Sequence, residues 1–416
     1  MPAAPAVVAA VAQAHRREWA FVLAATVRVT SDLDVAEECV QDAYAQALST
    51  WRPATIPAKP GAWLTTVARR LAVNRLRRNA TLEAKLPLLI DNPPSLLPTP
   101  AELLAEEIPD DRLRLIFTCC HPALAQEAQI ALTLRLLCGL RTGEVARAFL
   151  ISETTMAARL TRAKKKIATT RIPYRVPSVS ELPARVDAVL DVVHLLFTTG
   201  HTAPAGGDLV RLDLVERSLD LARMLRALLP GNPDVAGLIA LILLTDARRP
   251  SRVRGDGRLV LLGEQDRTLW DRAAISEGIG LVREALGRRP PGRFALLAAI
   301  AAVHDQAPSW QATDWEEILG LYDLLVSIWP SPVVALNRAV ALGFAQGPDA
   351  GLAALDELAN EPLLASYSYL AASRADFLRR LARNSEARLA YQEALLLSEN
   401  AVERDFLTDR LHQLGR

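Results

Sequence analysis

Cysteine is scarce in this sequence. Cys39, Cys119, Cys120 and Cys138 are the only four, and they share no even framework of spacings, so a disulfide scaffold is excluded. They read as reduced, buried thiols of a cytosolic protein. Long apolar runs are missing too. The longest, Val235 to Leu244, falls short of the roughly 18 to 20 residues that a membrane span needs. Met1 to Ala14 carries no basic leader, and no secretory signal is expected there. Strand-type alternation is confined to one candidate, Arg258 to Leu262, while Ala, Leu, Arg and Glu dominate the rest. The expected fold is therefore all-α. Walker, dinucleotide and nucleophile-elbow motifs are absent, so an enzyme is the least supported class and no cofactor is expected.

Neither sign of charge dominates, with 48 Lys and Arg against 47 Asp and Glu over 416 residues. That balance argues against a nucleic-acid partner only until the chain is divided. Met1 to Val176 holds 23 basic and 16 acidic residues, a net +7, and Pro177 to Arg416 holds 25 and 31, a net −6. A basic half beside an acidic one suggests a polyanion partner for the first, and equally lets the halves attract each other.

Helical patterns run from about Val7 to Arg78 and resume near Asp111. Between them Lys85 to Pro109 carries six prolines, which no continuous helix tolerates, so this stretch is a linker. A second break with three prolines, Ile172 to Pro183, closes the basic part. The helical signal then continues to the C-terminus. There Ala350 and Ala354 are matched 37 residues later by Ala387 and Tyr391, with Ala394 completing the series, close to a tetratricopeptide period; Ala-rich helices also coincide at many offsets by chance.

Two constellations carry chemistry. In the first, Asp34 to Trp51 places Val35, Cys39, Ala43, Ala47 and Leu48 on one helical face and Glu37, Glu38, Gln41 and Asp42 on an acidic outer one. After a Pro-rich loop, Arg52 to Gly61, the helix Ala62 to Arg78 turns Leu64, Val67, Ala68, Leu71 and Leu76 inward. Thr66, Arg70 and Arg77 share its outer side with Arg69 and Asn74 nearby. Such a face can meet phosphates through arginine and base edges through Asn and Thr, although a solvated charged face is the commoner meaning of arginine on a helix.

The second constellation is Arg141 to Ile167. Thr142 is placed to cap a first helix, a short turn follows at Leu150 and Ile151, and Ser152 is placed to cap a second helix with Glu153 at its positive end. Met156, Leu160 and Ala163 bury that helix. Thr154, Thr155, Ala158, Arg159 and Arg162 are left facing out and lead into Lys164, Lys165 and Lys166. Polar residues at the start and basic residues along a second helix suit insertion into a major groove. An ordinary helical hairpin with a basic tail is the plainer alternative.

Taken in order, the two constellations resemble the two conserved regions of sigma-70-family transcription initiation factors, specifically the extracytoplasmic-function group. The pieces Glu144 to Ala146, Ile151 and Ser152, Thr155, and Arg159 to Ala163 carry the likeness in the second. Ile116 to Leu124 and the long helical extension are similar to the subgroup with a C-terminal tetratricopeptide-like domain. The resemblance implies region 2 at residues 7–82, a linker at 83–110, region 4 at 111–172, a helical extension at 184–288 and a tetratricopeptide-like domain at 289–416. It implies polymerase docking by Glu37, Glu38, Gln41 and Asp42. DNA contact is implied for Arg69, Arg70, Asn74, Arg77, Ser152, Thr154, Thr155, Arg159, Arg162, Lys164 and Lys165. The partners implied are core RNA polymerase and promoter DNA, in the cytoplasm and without a membrane. The resemblance also implies a regulatory role for the acidic C-terminal part, and the opposite charges of the two halves allow contact between it and the sigma regions. The competing reading is a ligand-responsive helix-turn-helix regulator that binds DNA without polymerase; a tetratricopeptide scaffold with protein partners alone is a third.

Metal chemistry is weakly supported. Cys119, Cys120 and His121, with Cys138 further on, lack ligand spacing, and His194 and His201 lack a carboxylate pattern, so no metal site is expected. The dense polar stretch Asp246 to Asp271 reads as a structural network in which Arg248, Arg249, Arg252 and Arg254 meet Glu264, Asp266 and Asp271 across a Gly255 to Gly257 turn.

Overall fold

A computed structural model describes residues 4–85, 111–149, 151–178, 180–287 and 289–414. The proline-rich stretch 86–110 and Leu150 lie outside the described residues. As expected, the chain is all-α. Its extended structure among the described residues is a parallel pair of two-residue strands, β1 (Ala205–Gly206) and β2 (Glu399–Asn400), and one isolated bridge between Val253 and Leu259. Two compact units divide the chain, 1–192 and 193–416.

In the first unit α1 (Pro5–Thr30), α2 (Leu33–Thr50) and α3 (Pro60–Lys85) pack together. Asp32 starts α2 by accepting the backbone N–H groups of Asp34 and Val35 at 2.8 and 3.0 Å. The buried side of α2 is Leu33, Ala36, Cys39, Val40, Ala43, Tyr44 and Ala47. That stripe is rotated from the expected one, because Val35 is half-buried and Leu48 is exposed. The rotation brings Glu37 inward.

After residue 110 come α4 (Asp111–Cys119), α5 (Gln126–Leu132), a π turn (Thr133–Leu137), α6 (Thr142–Ala148) and α7 (Glu153–Thr169). One local expectation is corrected here and another is met. Residues 121–125 form a turn in which His121 Nδ1 accepts the N–H of Ala123, and α5 starts at Gln126. Thr142 does not cap α6 but is its first residue, and the Glu144 carboxylate closes that end by accepting the Arg141 N–H at 2.7 Å. Ser152 does cap α7, accepting the Thr155 N–H at 3.2 Å. All four cysteines are free and buried in this unit.

Helix α8 (Leu182–His201) spans residues of both units. The second unit continues with α9 (Leu212–Leu228), α10 (Pro233–Asp246), α11 (Arg272–Leu286), α12 (Arg293–Gln306), α13 (Trp315–Ile328), α14 (Pro332–Ala345), α15 (Pro348–Glu357), α16 (Ser368–Arg380), α17 (Asn384–Leu397) and α18 (Ala401–Gln413). The longest apolar run in the sequence, Val235 to Leu244, is the body of α10, and every one of its residues is buried among α9, α11 and α12. A helix apolar all round is a central helix here. Gly237 allows this, because a Cβ there would lie 2.7 Å from the backbone nitrogen of Ala295 on α12. No described helix is long and apolar enough to cross a membrane.

The helix pair α14–α15 recurs as α16–α17. Pro332 corresponds to Ser368 and Pro348 to Asn384, an offset of 36 rather than 37 residues. In that register the buried pair Gly351 and Leu355 matches Ala387 and Tyr391, whereas Ala350 and Ala354 are only half-buried. The repeat lies in the small and large residues that bury one helix face against the next.

The polar stretch 246–271 is a structural network with different partners from those expected. Arg248 pairs with the buried Asp305 at 2.6 Å, Arg249 with Asp246 at 3.5 Å, and Arg252 donates to the His201 carbonyl and the Thr202 hydroxyl. Asp266 and Asp271 serve as helix caps, and Glu264 pairs with Arg410 at 3.2 Å.

Candidate polymerase and nucleic-acid interface

Helix α7 buries Met156, Leu160, Ala163 and Ile167 and thereby fixes what remains outside. Ser152, Thr154, Thr155, Arg162 and Lys165 are exposed, together with Ala157 and Ala158. Arg159 belongs to the same side but is half-buried. Its guanidinium pairs with Glu127 on α5 at 3.0 Å and lies 5.4 Å from the centre of the Phe149 ring. An exposed ion pair of this kind is worth little, so Arg159 is positioned by it and remains available.

On α3 the inward residues are Leu64, Ala68 and Ala72, with Val67, Leu71 and Leu76 half-buried. Arg70 and Arg77 are exposed and Asn74 is partly so. Arg69 departs from this group. It turns towards α1 and α4, donates to the Ala25 carbonyl at 3.4 Å and lies 4.0 Å from the Asp111 carboxylate. Burial, then the neighbouring Arg28, depresses its pKa. The buried Asp111 is also held by Arg28 at 3.6 Å and Arg114 at 3.5 Å. In the loop before α3, Trp51 and Trp63 meet edge-to-face with ring centres 5.3 Å apart, while Arg52 to Thr55 close a short 3₁₀ turn.

The acidic side of α2 is split. Gln41 and Asp42 are exposed, and Glu38 is ion-paired with Arg75 of α3. Glu37 is buried instead of facing solvent: it accepts from Arg135 in the π turn and from Lys164 on α7, whose Nζ lies 2.8 Å from it. Gln41 adds a longer bond to Glu37 at 3.4 Å. Lys164, expected on the outward basic face, is thus turned to α2, where Asp34 binds it as well, at 2.7 Å. These two carboxylates hold the ammonium charged and raise its pKa against the opposing effect of burial.

Sequence reasoning missed Arg135, Asp111, Asp34 and Trp19 as residues joining these helices. Arg135 carried a signal, since it is the lone charge inside the apolar run from Ile130 to Leu140 and had to find a buried partner. Trp19 donates its indole N–H to the Leu136 carbonyl, and Tyr174 donates to the Ala24 carbonyl at 2.8 Å. The four thiols are buried, and burial pushes Cys120 up to about 12. Among the described residues no group of three His, Cys, Asp or Glu side chains is placed to hold a metal ion.

Comparison with known proteins assigns these modules. The sigma-70 region 2 family matches residues 15–81 and the sigma-70 region 4 family matches residues 114–167, while a family of unknown function matches residues 185–286. The chain belongs to the sigma-70 family. It is also 39% identical over 395 residues to the uncharacterized protein R00370 of Rhizobium meliloti (strain 1021), covering 94% of this chain and 93% of that one. Region 2 of this sigma factor is thus α1 to α3, and region 4 contains α4 to α7. The C-terminal stretch beyond residue 286 lies outside these family matches.

Proposed function

We propose that this sigma factor is of the extracytoplasmic-function type, that it docks on core RNA polymerase and that it directs initiation at specific promoters. The observation that carries the reading is the capped helix α7, which presents Ser152, Thr154, Thr155, Arg162 and Lys165 to solvent above a packed core. Polar side chains at the amino end and cations further along give base contact and phosphate contact, respectively. Arg159 joins them when it leaves Glu127. On region 2, Arg70, Asn74 and Arg77 form the exposed part of α3 for the downstream element, and stacking by Trp63 beside the loop 52–61 suits separated strands. Glu38, Gln41 and Asp42 form the polymerase-facing side of α2, with Glu37 joining them when its two cations are released. A cytoplasmic location follows from this role.

The acidic second unit is proposed as a regulatory domain that acts on the sigma regions, with residues 289–416 a tetratricopeptide-like array. Its support is the 36-residue repeat of a helix pair and a cavity of about 620 Å³, lined in part by Trp310, Phe344, Tyr369, Phe377, Tyr391 and Phe406. A cavity of that size and character suits a regulatory ligand.

The experiment is to mix the purified chain with core RNA polymerase and a library of promoter fragments and to sequence the transcripts. Initiation at discrete sites that depends on the chain is expected. Tight binding of the free chain to duplex DNA without any association with polymerase would instead favour a polymerase-independent regulator.

A further inference from the structure

We infer that the cavity of the C-terminal unit takes a small aromatic acid, with its rings against the aromatic walls and its acidic group on Arg379 and Arg380. The inference rests on the regulatory-ligand reading given above and names the class of that ligand. One wall is built by α14, α16 and α18 through Phe344, Tyr369, Phe377 and Phe406. The other is the stretch 259–264, which is pinned to α18 by Glu264 with Arg410 at 3.2 Å and, just before it, by Arg258 with Asp409 at 3.7 Å. Gly263 lets this stretch lie close to Trp310, since a Cβ there would be 3.0 Å from the indole. Trp310 in turn meets Phe344 edge-to-face with ring centres 5.2 Å apart. A space of about 620 Å³ between two such walls suits a compact molecule rather than an extended chain, and the ring faces favour flat, apolar surfaces.

Charge on these walls is uneven, and that selects an acid. Arg379 and Arg380 share one carboxylate: Asp376 takes an Nη of Arg379 on one oxygen and Nε of Arg380 on the other, both at 2.7 Å. Two guanidinium groups against one carboxylate leave a positive charge in surplus. Arg379 also keeps its Nε buried without a hydrogen bond, with the Tyr391 hydroxyl near it. A buried donor left so is costly until an acceptor arrives. The Arg380 guanidinium lies 4.5 Å from the centre of the Phe344 ring, so cation and aromatic face are offered side by side. Elsewhere in the described lining the charges are matched. Arg410 has Glu264, and Glu403 accepts from the Tyr369 hydroxyl within the field of Arg252. A cationic ligand would find no carboxylate in surplus, whereas an anionic group answers both the extra charge and the idle N–H.

Two dyes that share a ring system test this on the full chain: 8-anilinonaphthalene-1-sulfonate, which is acidic, and N-phenyl-1-naphthylamine, which lacks the sulfonate. Fluorescence titration should show a single saturable site for the sulfonate. With helicity unchanged, Arg379→Gln should weaken the sulfonate by about tenfold and leave the neutral dye as it was, as loss of one charge-assisted bond does. Arg380→Gln, at the exposed member of the pair, should act in the same direction. Ser373→Phe adds a ring to the cavity wall and should abolish binding of both dyes. No saturable site, a sulfonate indifferent to both arginine variants, equal weakening of the two dyes, or binding untouched by Ser373→Phe each overturn the inference. Run-off transcription with core polymerase, with and without each dye, separates it from the reading on which it rests. Binding as expected with no change in initiation removes the regulatory reading and leaves the ligand class standing. Initiation that responds to the neutral dye as strongly, in the wild type and in both arginine variants, removes the class alone.

Discussion

Trp19 donates its indole proton to the carbonyl of Leu136, 3.0 Å away and 117 residues along the chain, and both groups are buried. The bond lies between the first helix of region 2 and the π turn of region 4. Replacing Trp19 with Phe keeps most of the apolar ring and leaves the Leu136 carbonyl without its donor. The expected cost is about 1 to 3 kcal/mol. Urea denaturation of the first unit should show a lower midpoint with an unchanged slope.

Acid should loosen the second unit before the first. Burial lowers His194 to about 4 and His304 to about 3, and burial with Arg252 nearby lowers His201. Below the ordinary value near 6.5 the unfolded chain takes up protons that the folded unit refuses, so stability falls as pH falls through that value and continues to fall towards the folded values. Each histidine contributes at most about 1.4 kcal/mol per pH unit. Asp246 and Asp305, raised mainly by burial, act with the opposite sign, in a window that opens upward from the ordinary carboxylate value near 3.8. Between about pH 7.5 and 5.5 the histidines dominate. Calorimetry should show the melting temperature of the second unit dropping over that range, with a shallower drop in His194→Phe.

The centre of the second unit should tolerate no added methyl at Gly237. A Cβ there meets the backbone of Phe294 and Ala295, which cannot rotate aside as a side chain could. Gly237→Ala is expected to cost about 1 to 3 kcal/mol through overpacking. Thermal melting is the check, and a melting temperature at or above the wild-type value would show that α12 can shift.

On DNA, two side chains of α7 should separate reading from holding. Arg159→Ala should weaken initiation mainly at promoters that depend on the upstream element, because a base contact is sequence-specific. Lys165→Ala should weaken all templates alike and lessen the salt dependence of binding, as loss of one phosphate contact does. Run-off transcription over several promoters and salt concentrations measures both. An equal loss across templates in Arg159→Ala would count against base readout by that residue.

Local signals in the sequence were dependable where one helix decides the outcome. Ser152 caps α7 and the alternation of Met156, Leu160 and Ala163 turns the correct side inward, because cap and stripe both belong to a single helix. The two-module order was legible for the same reason. Glu37, Lys164 and Arg69 were misjudged because helical periodicity ranks charge as outward, whereas a partner 98 residues away, such as Arg135 for Glu37, can compensate a charge and bring it in. The repeat was found one residue out of register. Alanine is common enough to match at neighbouring offsets, and only burial of Gly351 and Leu355 against Ala387 and Tyr391 fixes the alignment.

The placement of the thiols gives the molecule a built-in clock. Cys39 lies in region 2, Cys119, Cys120 and Cys138 lie in region 4, and the second unit has none. A buried, protonated thiol reacts with an alkylating reagent only during an opening of its surroundings. The rate of modification at Cys39 against that at Cys119 or Cys120 therefore times the breathing of each sigma region separately. Events confined to the C-terminal unit leave both clocks untouched unless they are transmitted, so any change in these rates on adding a small molecule measures communication along the chain.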